Sequence, residues 1–505
     1  MSLVQSRNEI SVHDEARVRI TDDLLRLERG SDELLLANGN DVRPLYIRTG
    51  RRYVSNLLRV ADQLGRYDRI AAHFPQDLPL LDTLLGHGIL LSVEGRETDS
   101  TSRCASARLM GPRKDAMSLY LLVSQSCNMR CAYCLDGART YRTEERLRMS
   151  EAVAFTSVER CLQQLTPGGW LEIVFFGGEP LLNWALAKAV IAHCDQAVKR
   201  QYRNRTVTYH VTSNLSFLPP DLIEWATKFG ITFLCDVDGP AAVHDVCRPF
   251  KDGRPSYDTI ARNVTELAAA GVHVALRATI TAANQDHLLE TTRLHKTLGG
   301  RSSAFVPVNT VNSDGDMLPE PLLPSPERVM EGMADVYHSR VWEEEALYPF
   351  CLYPPRLQPG AKTALGCGAP CGTMVVVDVK GDVYPCHYLV GVRRFHQGNV
   401  TDSSYPDQTA LLRMCDDLHV DHLDDCKGCP WRYVCGGGCP LGRLAIVDNP
   451  MATDTERTYW KRMNCDYTKR IMELVLWRRA EETASQLLDS QRSPDAVAAA
   501  ASTIC

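Results

Sequence analysis

Ser126-Cys127-Asn128-Met129-Arg130-Cys131-Ala132-Tyr133-Cys134 is the stretch from which the rest of the 505-residue chain can be read. Its three cysteines are spaced C-x3-C-x2-C and follow an apolar run, Leu119 to Val123. One short loop can therefore aim three thiolates at a common point. Three thiolates can hold a 4Fe–4S cluster, and because such a cluster has four irons, one iron keeps an open position for chemistry. Softness and spacing do not fix the metal, so a zinc loop also fits this stretch taken alone.

The chain is long enough for two or three domains and a sizeable core. A net charge of −6, built from mixed signs, gives no reason to expect a nucleic-acid partner. No apolar run is long enough to span a bilayer, and no membrane partner is expected. Met1 to Asp14 is polar and charged, without the apolar core of a secretory signal, so a cytoplasmic location is the expectation. The cytosol keeps thiols reduced, and nineteen cysteines, an odd number, read there as metal ligands and core residues rather than disulfides.

Residues 1–110 carry none of the clustered cysteines and read as a separate module. Glu33 to Ala37 and Pro44 to Ile47 are strand candidates around the turn Asn38-Gly39-Asn40-Asp41. Val54, Leu57, Leu58, Val60, Ala61 and Leu64 make a helical stripe ended by Gly65, and Leu78 to Leu85 is a second apolar helix before Ile89-Leu90-Leu91. The order resembles a small winged-helix module.

From Ser118 short apolar strands alternate with helical stretches. The strands are 118–123, 171–176, 206–212, 231–237, 273–280 and 304–308; helical patterns fill 150–165, 185–199, 220–229, 257–270 and 285–298. Six β/α units in series imply a parallel sheet covered by helices, since parallel strands need crossover connections. Active groups in barrels of this kind sit at the C-terminal ends of the strands, which is where the cysteine loop falls.

With Tyr133 before its last cysteine, the loop resembles the signature of radical S-adenosylmethionine (SAM) enzymes. The second strand ends in Gly177-Gly178-Glu179-Pro180, which is similar to that family's GGEP element. Glycines allow close backbone approach to a ligand, and a carboxylate can accept from an ammonium. The resemblance implies a partial (β/α)6 barrel within an α/β fold. It implies that Cys127, Cys131 and Cys134 hold the catalytic cluster and that Tyr133, Gly177, Gly178 and Glu179 contact SAM. Ser213 and Asn214, ending the third strand, and Arg248, in the string Asp238-Gly239-Pro240…His244-Asp245…Arg248, are implied SAM contacts as well. His244 and Asp245 read as turn or cap residues, and Arg277, closing the fifth strand, as a partner for a carboxylate. Many relatives carry Ser two residues before the Asp-Gly pair; here Asp236 stands there.

The second half adds Cys367 and Cys371, a hairpin around Lys380-Gly381-Asp382, Cys386, then Cys426, Cys429, Cys435, Cys439 and Cys465. This ordered set resembles the SPASM extension of radical SAM peptide and protein maturases. A zinc ribbon would suit the C-x2-C pair, but the C-x5-C-x3-C spacing and the upstream motif speak against it. By resemblance, Cys367, Cys371, Cys386 and Cys439 hold one auxiliary 4Fe–4S cluster and Cys426, Cys429, Cys435 and Cys465 a second, making three clusters with SAM. Cys161, Cys194 and Cys235 read as core residues; Cys104, Cys247, Cys351, Cys415 and Cys505 carry no ligand signal.

The domains expected are a winged-helix-like module that either grips a leader peptide or only packs (1–110), the partial barrel (111–310), a bridging region (311–350), the SPASM domain (351–470) and a helical or disordered tail (471–505). The implied activity is reductive cleavage of SAM to a 5′-deoxyadenosyl radical, which takes hydrogen from a ribosomally made peptide or small protein to form a thioether, C–C or C–O crosslink. A flavodoxin- or ferredoxin-type protein is the implied electron donor. Thioether maturation of a quinohemoprotein amine dehydrogenase subunit is one specific version. Sulfatase maturases place Asp directly after the cysteine of the G-x4-C segment as their base; His387 stands there in this chain, which argues against formylglycine formation. His387 is either a base in its own right or a satisfied polar residue beside the cluster. A non-catalytic, cluster-bearing peptide-binding or electron-transfer protein is the alternative from another class.

Overall fold

A computed structural model describes residues 17–47, 50–92, 114–134, 147–310, 318–402 and 408–492. Cys104, Cys505 and the last part of the tail lie outside the described residues, as does much of the irregular stretch after Asn309.

The N-terminal module runs β1 (Val18–Ile20), β2 (Leu24–Arg29), β3 (Glu33–Asn38), β4 (Asp41–Ile47), α1 (Arg51–Leu64), α2 (Tyr67–His73), α3 (Leu78–Gly86) and β5 (Leu90–Ser92). Strands β2, β3 and β4 form an antiparallel sheet, and β1 pairs with β5. Successive side chains of a strand face opposite ways, which explains the continuous apolar run of β3. Leu34 and Leu36 pack with Val54, Leu57 and Leu58 of α1 and Leu81 and Leu84 of α3. Leu35 and Ala37 face the other way, into a core shared with the last helix of the chain. Gly65, with φ of 63°, ends α1 by donating its N–H to Ala61 O.

The centre of the molecule is a nine-stranded sheet in the order β12-β11-β10-β9-β8-β7-β6-β13-β14. Strands β6 (Lys114–Ser124), β7 (Leu165–Gly177), β8 (Thr206–Thr212), β9 (Thr232–Asp236), β10 (Val274–Ile280) and β11 (Ser302–Pro307) are the six expected ones, side by side and parallel. Between them lie α4 (Glu151–Gln164), α5 (Trp184–Arg200), α6 (Leu222–Phe229), α7 (Ala241–Cys247), α8 (Tyr257–Ala269) and α9 (Leu288–Thr297). The outer face of the sheet is apolar: Leu119, Leu121, Ile173, Phe175, Val211, Phe233 and Leu276 pack on Val158, Leu162, Val190, Ile191, Ile260 and Val264 of the helices. Burying each such side chain contributes about 1.5–3 kcal/mol. Cys161, Cys194 and Cys235 belong to this core, as expected. The inner face, offset by one residue, carries Tyr120, Glu172, His210, Asp236 and Arg277.

The sheet does not stop at Pro307. Strand β12 (Leu347–Tyr348) adds to β11 after helix α10 (Pro326–His338), and β13 (Met374–Val377) pairs parallel with β6. Strand β14 (Val383–Tyr384) returns antiparallel to β13, so the chain leaves this hairpin toward the N-terminal end of β6. Helix α11 (Gln408–Asp417) and α12 (Asp454–Lys461) flank the cysteine-rich loops. Helix α13 (Tyr467–Arg492) packs Ile471, Met472, Val475 and Leu476 against Met333 and Tyr337 of α10 and against Leu35 of β3. The helical reading of residues 471–505 thus applies up to Arg492.

Candidate active site

The cysteine loop leaves the C-terminal end of β6 and is stitched down on two sides. On one side Gly178 N–H donates to Ser124 O (2.9 Å) and Glu179 N–H to Ser126 O (2.8 Å). A Cβ on Gly178 would stand 2.5 Å from Ser126 O and 3.2 Å from Cys127 Cβ, and Gly177 has φ of 131°. These two glycines therefore let the end of β7 lie against the cysteine loop itself, where ligand approach was the expectation. On the other side Ala132 N–H donates to Cys247 O (2.8 Å), Arg130 N–H to Pro249 O (3.0 Å) and Lys251 N–H to Asn128 O (3.1 Å). Burial raises the thiols of Cys127 and Cys131, the latter to about 11, while Cys134 is exposed.

The Glu179 side chain is turned into the protein. Its carboxylate is fully buried and accepts from Leu181 N–H (2.9 Å), Ser213 Oγ (2.8 Å) and Asn214 N–H (2.8 Å). With these three donors it ties the end of β7 to the end of β8. Burial pushes its carboxyl up to about 7 against the pull of those hydrogen bonds. Asn214 also donates to Asn128 Oδ1 (2.9 Å) and has Nδ2 3.9 Å from Cys127 Sγ, so the third strand reaches the cysteine loop directly.

Tyr133 is buried; its hydroxyl donates to Asp238 and accepts from Arg248 Nη1 at 2.7 Å. Arg248 lies 3.3 Å from Asp236, and its Nε is buried without a partner among the described residues. Arg277 donates to both oxygens of Asp236, from Nε at 2.5 Å and Nη2 at 3.0 Å. Burial works to raise the Asp236 carboxyl, but Arg277 and Arg248 outweigh it and hold the group down at about 2. Asp238, which also accepts from Thr279 N–H (2.9 Å), is raised by burial to about 6. This network of charges was legible only as separate motif residues. His244 and Asp245 are structural, as read: His244 Nδ1 accepts from Asp238 N–H (3.2 Å), and Asp245 caps α8 through Ser256 and Tyr257 N–H.

Across the inner face His387 stacks on Tyr120 (centroids 5.6 Å apart) and packs on Phe176 (4.9 Å) and Tyr388 (4.0 Å). Its Nδ1 is buried without a partner among the described residues, where the ring is held by aromatic contacts. Burial, with the nearby Arg277, lowers the imidazole to about 3 and keeps it neutral.

Several of the later cysteines are electrostatic neighbours of one another. Burial together with Cys439 and Cys371 raises Cys367 to about 11, and burial with Cys439 and Cys367 raises Cys386 to about 12. In the other set Cys426 feels Cys435 and Cys429, and Cys465 feels Cys435 and Cys426. The run Gly436-Gly437-Gly438, with φ of 78°, 89° and 82°, brings Cys439 back to the first loop. There a Cβ on Gly436 would stand 2.6 Å from Gly366 N, so the two loops touch backbone to backbone. Among the described residues no three His, Cys, Asp or Glu side chains close tightly enough for a single metal ion.

Residues 121–294 match the model of the radical SAM superfamily. The chain contains a radical SAM domain. Among curated relatives, the serine-type anaerobic sulfatase-maturating enzyme of Bacteroides thetaiotaomicron is 22% identical over 357 residues, 65% of this chain and 84% of that protein. The solved structure of native anSMEcpe with bound AdoMet and Kp18Cys peptide superposes with a TM-score of 0.58 at 18% identity, covering 73% of this chain and 99% of that one. Streptococcus suis SuiB bound to S-adenosylmethionine gives 0.50 at 16% identity, covering 84% and 96%. These likenesses show the fold of this radical SAM enzyme. No helix among its described residues is long and apolar enough to cross a membrane.

Proposed function

We propose that this radical SAM enzyme is a maturase that takes hydrogen from a ribosomally made peptide or small protein and leaves an intramolecular crosslink. One observation carries the reading: the cysteine loop hangs at the C-terminal end of β6 over an inner face lined by Tyr120, Phe176, His387, Arg277 and Asp236. Beside it β13 brings the later cysteines onto the same sheet.

Cys127, Cys131 and Cys134 are the ligands of the SAM-binding cluster in this reading; their sulfur donor set on one short loop fits one. When bound and reduced, that cluster supplies the electron that splits SAM into methionine and a 5′-deoxyadenosyl radical. The chain's own residues hold the loop and exclude water. Glu179, Ser213 and Asn214 lock the strand ends that present backbone groups to SAM, while Tyr133 and Arg248 form the wall between loop and lumen. Cys367, Cys371, Cys386 and Cys439 would hold one auxiliary cluster and Cys426, Cys429, Cys435 and Cys465 another. Their grouping as neighbours and the glycine contact between the loops support this.

The winged-helix reading of the N-terminal module is supported by a three-stranded sheet followed by three helices. Strands β2 and β4 are its sheet edges, and an extended leader peptide can add to such an edge through main-chain hydrogen bonds. A flavodoxin- or ferredoxin-type donor remains the proposed electron source, and the cytoplasm the proposed compartment. Co-expression with a short reading frame adjacent to the gene tests the function. Loss of about 2 Da per crosslink from the encoded peptide is the expected result, being two hydrogens removed per bond formed. An unmodified peptide from every neighbouring frame, with a cluster-replete enzyme, would contradict it.

A further inference from the structure

Arg277 is set up to bind something more than Asp236. Register pairs Arg277 of β10 with Asp236 of β9, and the alternation of β10 buries Leu276 and Ala278 under the helices while Arg277 points to the inner face. Of the five N–H donors of a guanidinium, Asp236 takes those on Nε and Nη2 in a two-point contact. The Nη1 edge has no partner among the described residues, and the side chain is 26% exposed, against 11% for Asp236. Asp236 is itself fixed from behind by Arg248. Arg277 is thus a cation whose direction is set before any ligand arrives, which is the condition for strong, selective ion pairing.

Its surroundings lack a competitor for that edge. His210, His387, Tyr120 and Tyr388 all lie within the electrostatic reach of Arg277 on the same face, and none of them is a carboxylate. Among the described residues, the nearby carboxylates already have partners: Glu172 accepts from Ser118 Oγ at 2.9 Å, and Asp238 from Tyr133 and Thr279 N–H. Aromatic walls from Tyr120, Phe176, His387 and Tyr388 make the region one in which a charge pair is weakly screened.

We propose that the free edge of Arg277 binds a carboxylate of the substrate, held in place by Asp236 as a positioning residue, so that the hydrogen donor presented to the radical is carried on or beside an acidic group. This rests on the reading that the enzyme modifies a peptide or protein. It assigns a specificity role to the departure at position 236.

The full, reconstituted chain with SAM, kept anaerobic, is dialysed against a pool of hexapeptides that each contain one Glu and against the matching pool with Gln. A third pair, lacking Glu, compares free with amidated C-termini and separates a C-terminal from a side-chain carboxylate. Wild type should retain the carboxylate member of one pair about tenfold better, the fold-change that one ordered charge pair gives. In Arg277→Gln and Asp236→Asn the preference should fall to about onefold, and Arg277→Lys should keep part of it. SAM affinity of Arg277→Gln should stay within about twofold of wild type. Equal retention of every pair by wild type, a preference that survives Arg277→Gln, or loss of SAM binding in that variant would each overturn the assignment. In the last case the carboxylate bound is that of SAM. Absence of 5′-deoxyadenosine from reduced wild type is a separate failure, of the maturase reading, and is measured without peptide.

Discussion

Ser213 donates its hydroxyl to Oε1 of Glu179 at 2.8 Å, joining the ends of two parallel strands that are 34 residues apart in the chain. Together with Leu181 and Asn214 N–H it gives three donors to a carboxylate that has no exposed atom. Glu179→Ala leaves three donors without an acceptor and should cost roughly 3–5 kcal/mol. Glu179→Gln places an amide donor against a backbone donor and should cost about 1–3 kcal/mol. Urea unfolding gives both values. SAM affinity should fall in both variants because the strand ends move, and an unchanged midpoint in Glu179→Ala would show that the carboxylate is not the tie described.

Gly178 tests the packing of β7 on the cysteine loop. In Gly178→Ala the new Cβ meets a backbone carbonyl, Ser126 O, which cannot swing away as a side-chain tip would. The loop should be displaced and lose its cluster while the other eight cysteines keep theirs, lowering iron from about twelve to about eight per chain. Iron and acid-labile sulfide assays check this. Gly86→Ala, where no atom stands within 4 Å, should leave iron content unchanged.

Asp23 and Arg432 join the N-terminal module to the cysteine-rich segment across 409 residues. Their side chains are 8% and 16% exposed, and Asn40 also donates to Asp23. Removing one partner of a buried pair leaves an uncompensated charge, so Arg432→Met should cost about 3–5 kcal/mol. Asp23→Asn with Arg432→Met should cost less than the sum of the two singles, a coupling that a double-mutant cycle by denaturation reads. Limited proteolysis should release the module sooner in Arg432→Met.

His295 makes stability depend on mild acid. It sits in the core with Nε2 2.8 Å from Val237 O and Nδ1 2.8 Å from Ser303 Oγ, and burial lowers it to about 4. A group neutral in the fold but protonated below about 6.5 when unfolded contributes stability that is complete above that pH. That stability is lost as pH falls from about 6.5 to about 4, amounting to roughly 3 kcal/mol. His210, lowered by burial to about 4, adds in the same window. Urea midpoints between pH 7 and pH 4 should decline, and His295→Gln should flatten the decline; a pH-independent midpoint would contradict the assignment.

Much of this was legible in the sequence because it is local. The six inner strands and their helices follow from apolar periodicity, and the cysteine sets from spacing. Three things escaped. Strand β13 is four residues long and pairs with β6, more than 250 residues earlier, so no local pattern announces that the later cysteine hairpin extends the barrel sheet. Strands β1 and β2 are short or charged, as in Leu24-Leu25-Arg26-Leu27-Glu28-Arg29, and alternate only once the partner β3 is known. The protein partners of Glu179, Gly177 and Gly178 are supplied by other strands and loops and are not written in the motif. A motif fixes which residues meet at a strand end, but whether a carboxylate turns toward ligand or backbone depends on donors supplied by another strand. Asp236 stood out as a departure, while the Arg248 and Arg277 contacts that explain its ionisation needed three-dimensional neighbours.

That the chain splits SAM at the Cys127–Cys131–Cys134 loop is tested most directly by reducing the anaerobically reconstituted protein with SAM and quantifying 5′-deoxyadenosine and methionine. Wild type with about twelve irons should release both in equal amounts, and the variant with all three cysteines changed to Ala should release neither while retaining about eight irons. A cluster-replete wild type that yields no 5′-deoxyadenosine, or a triple variant that yields as much as wild type, would contradict it.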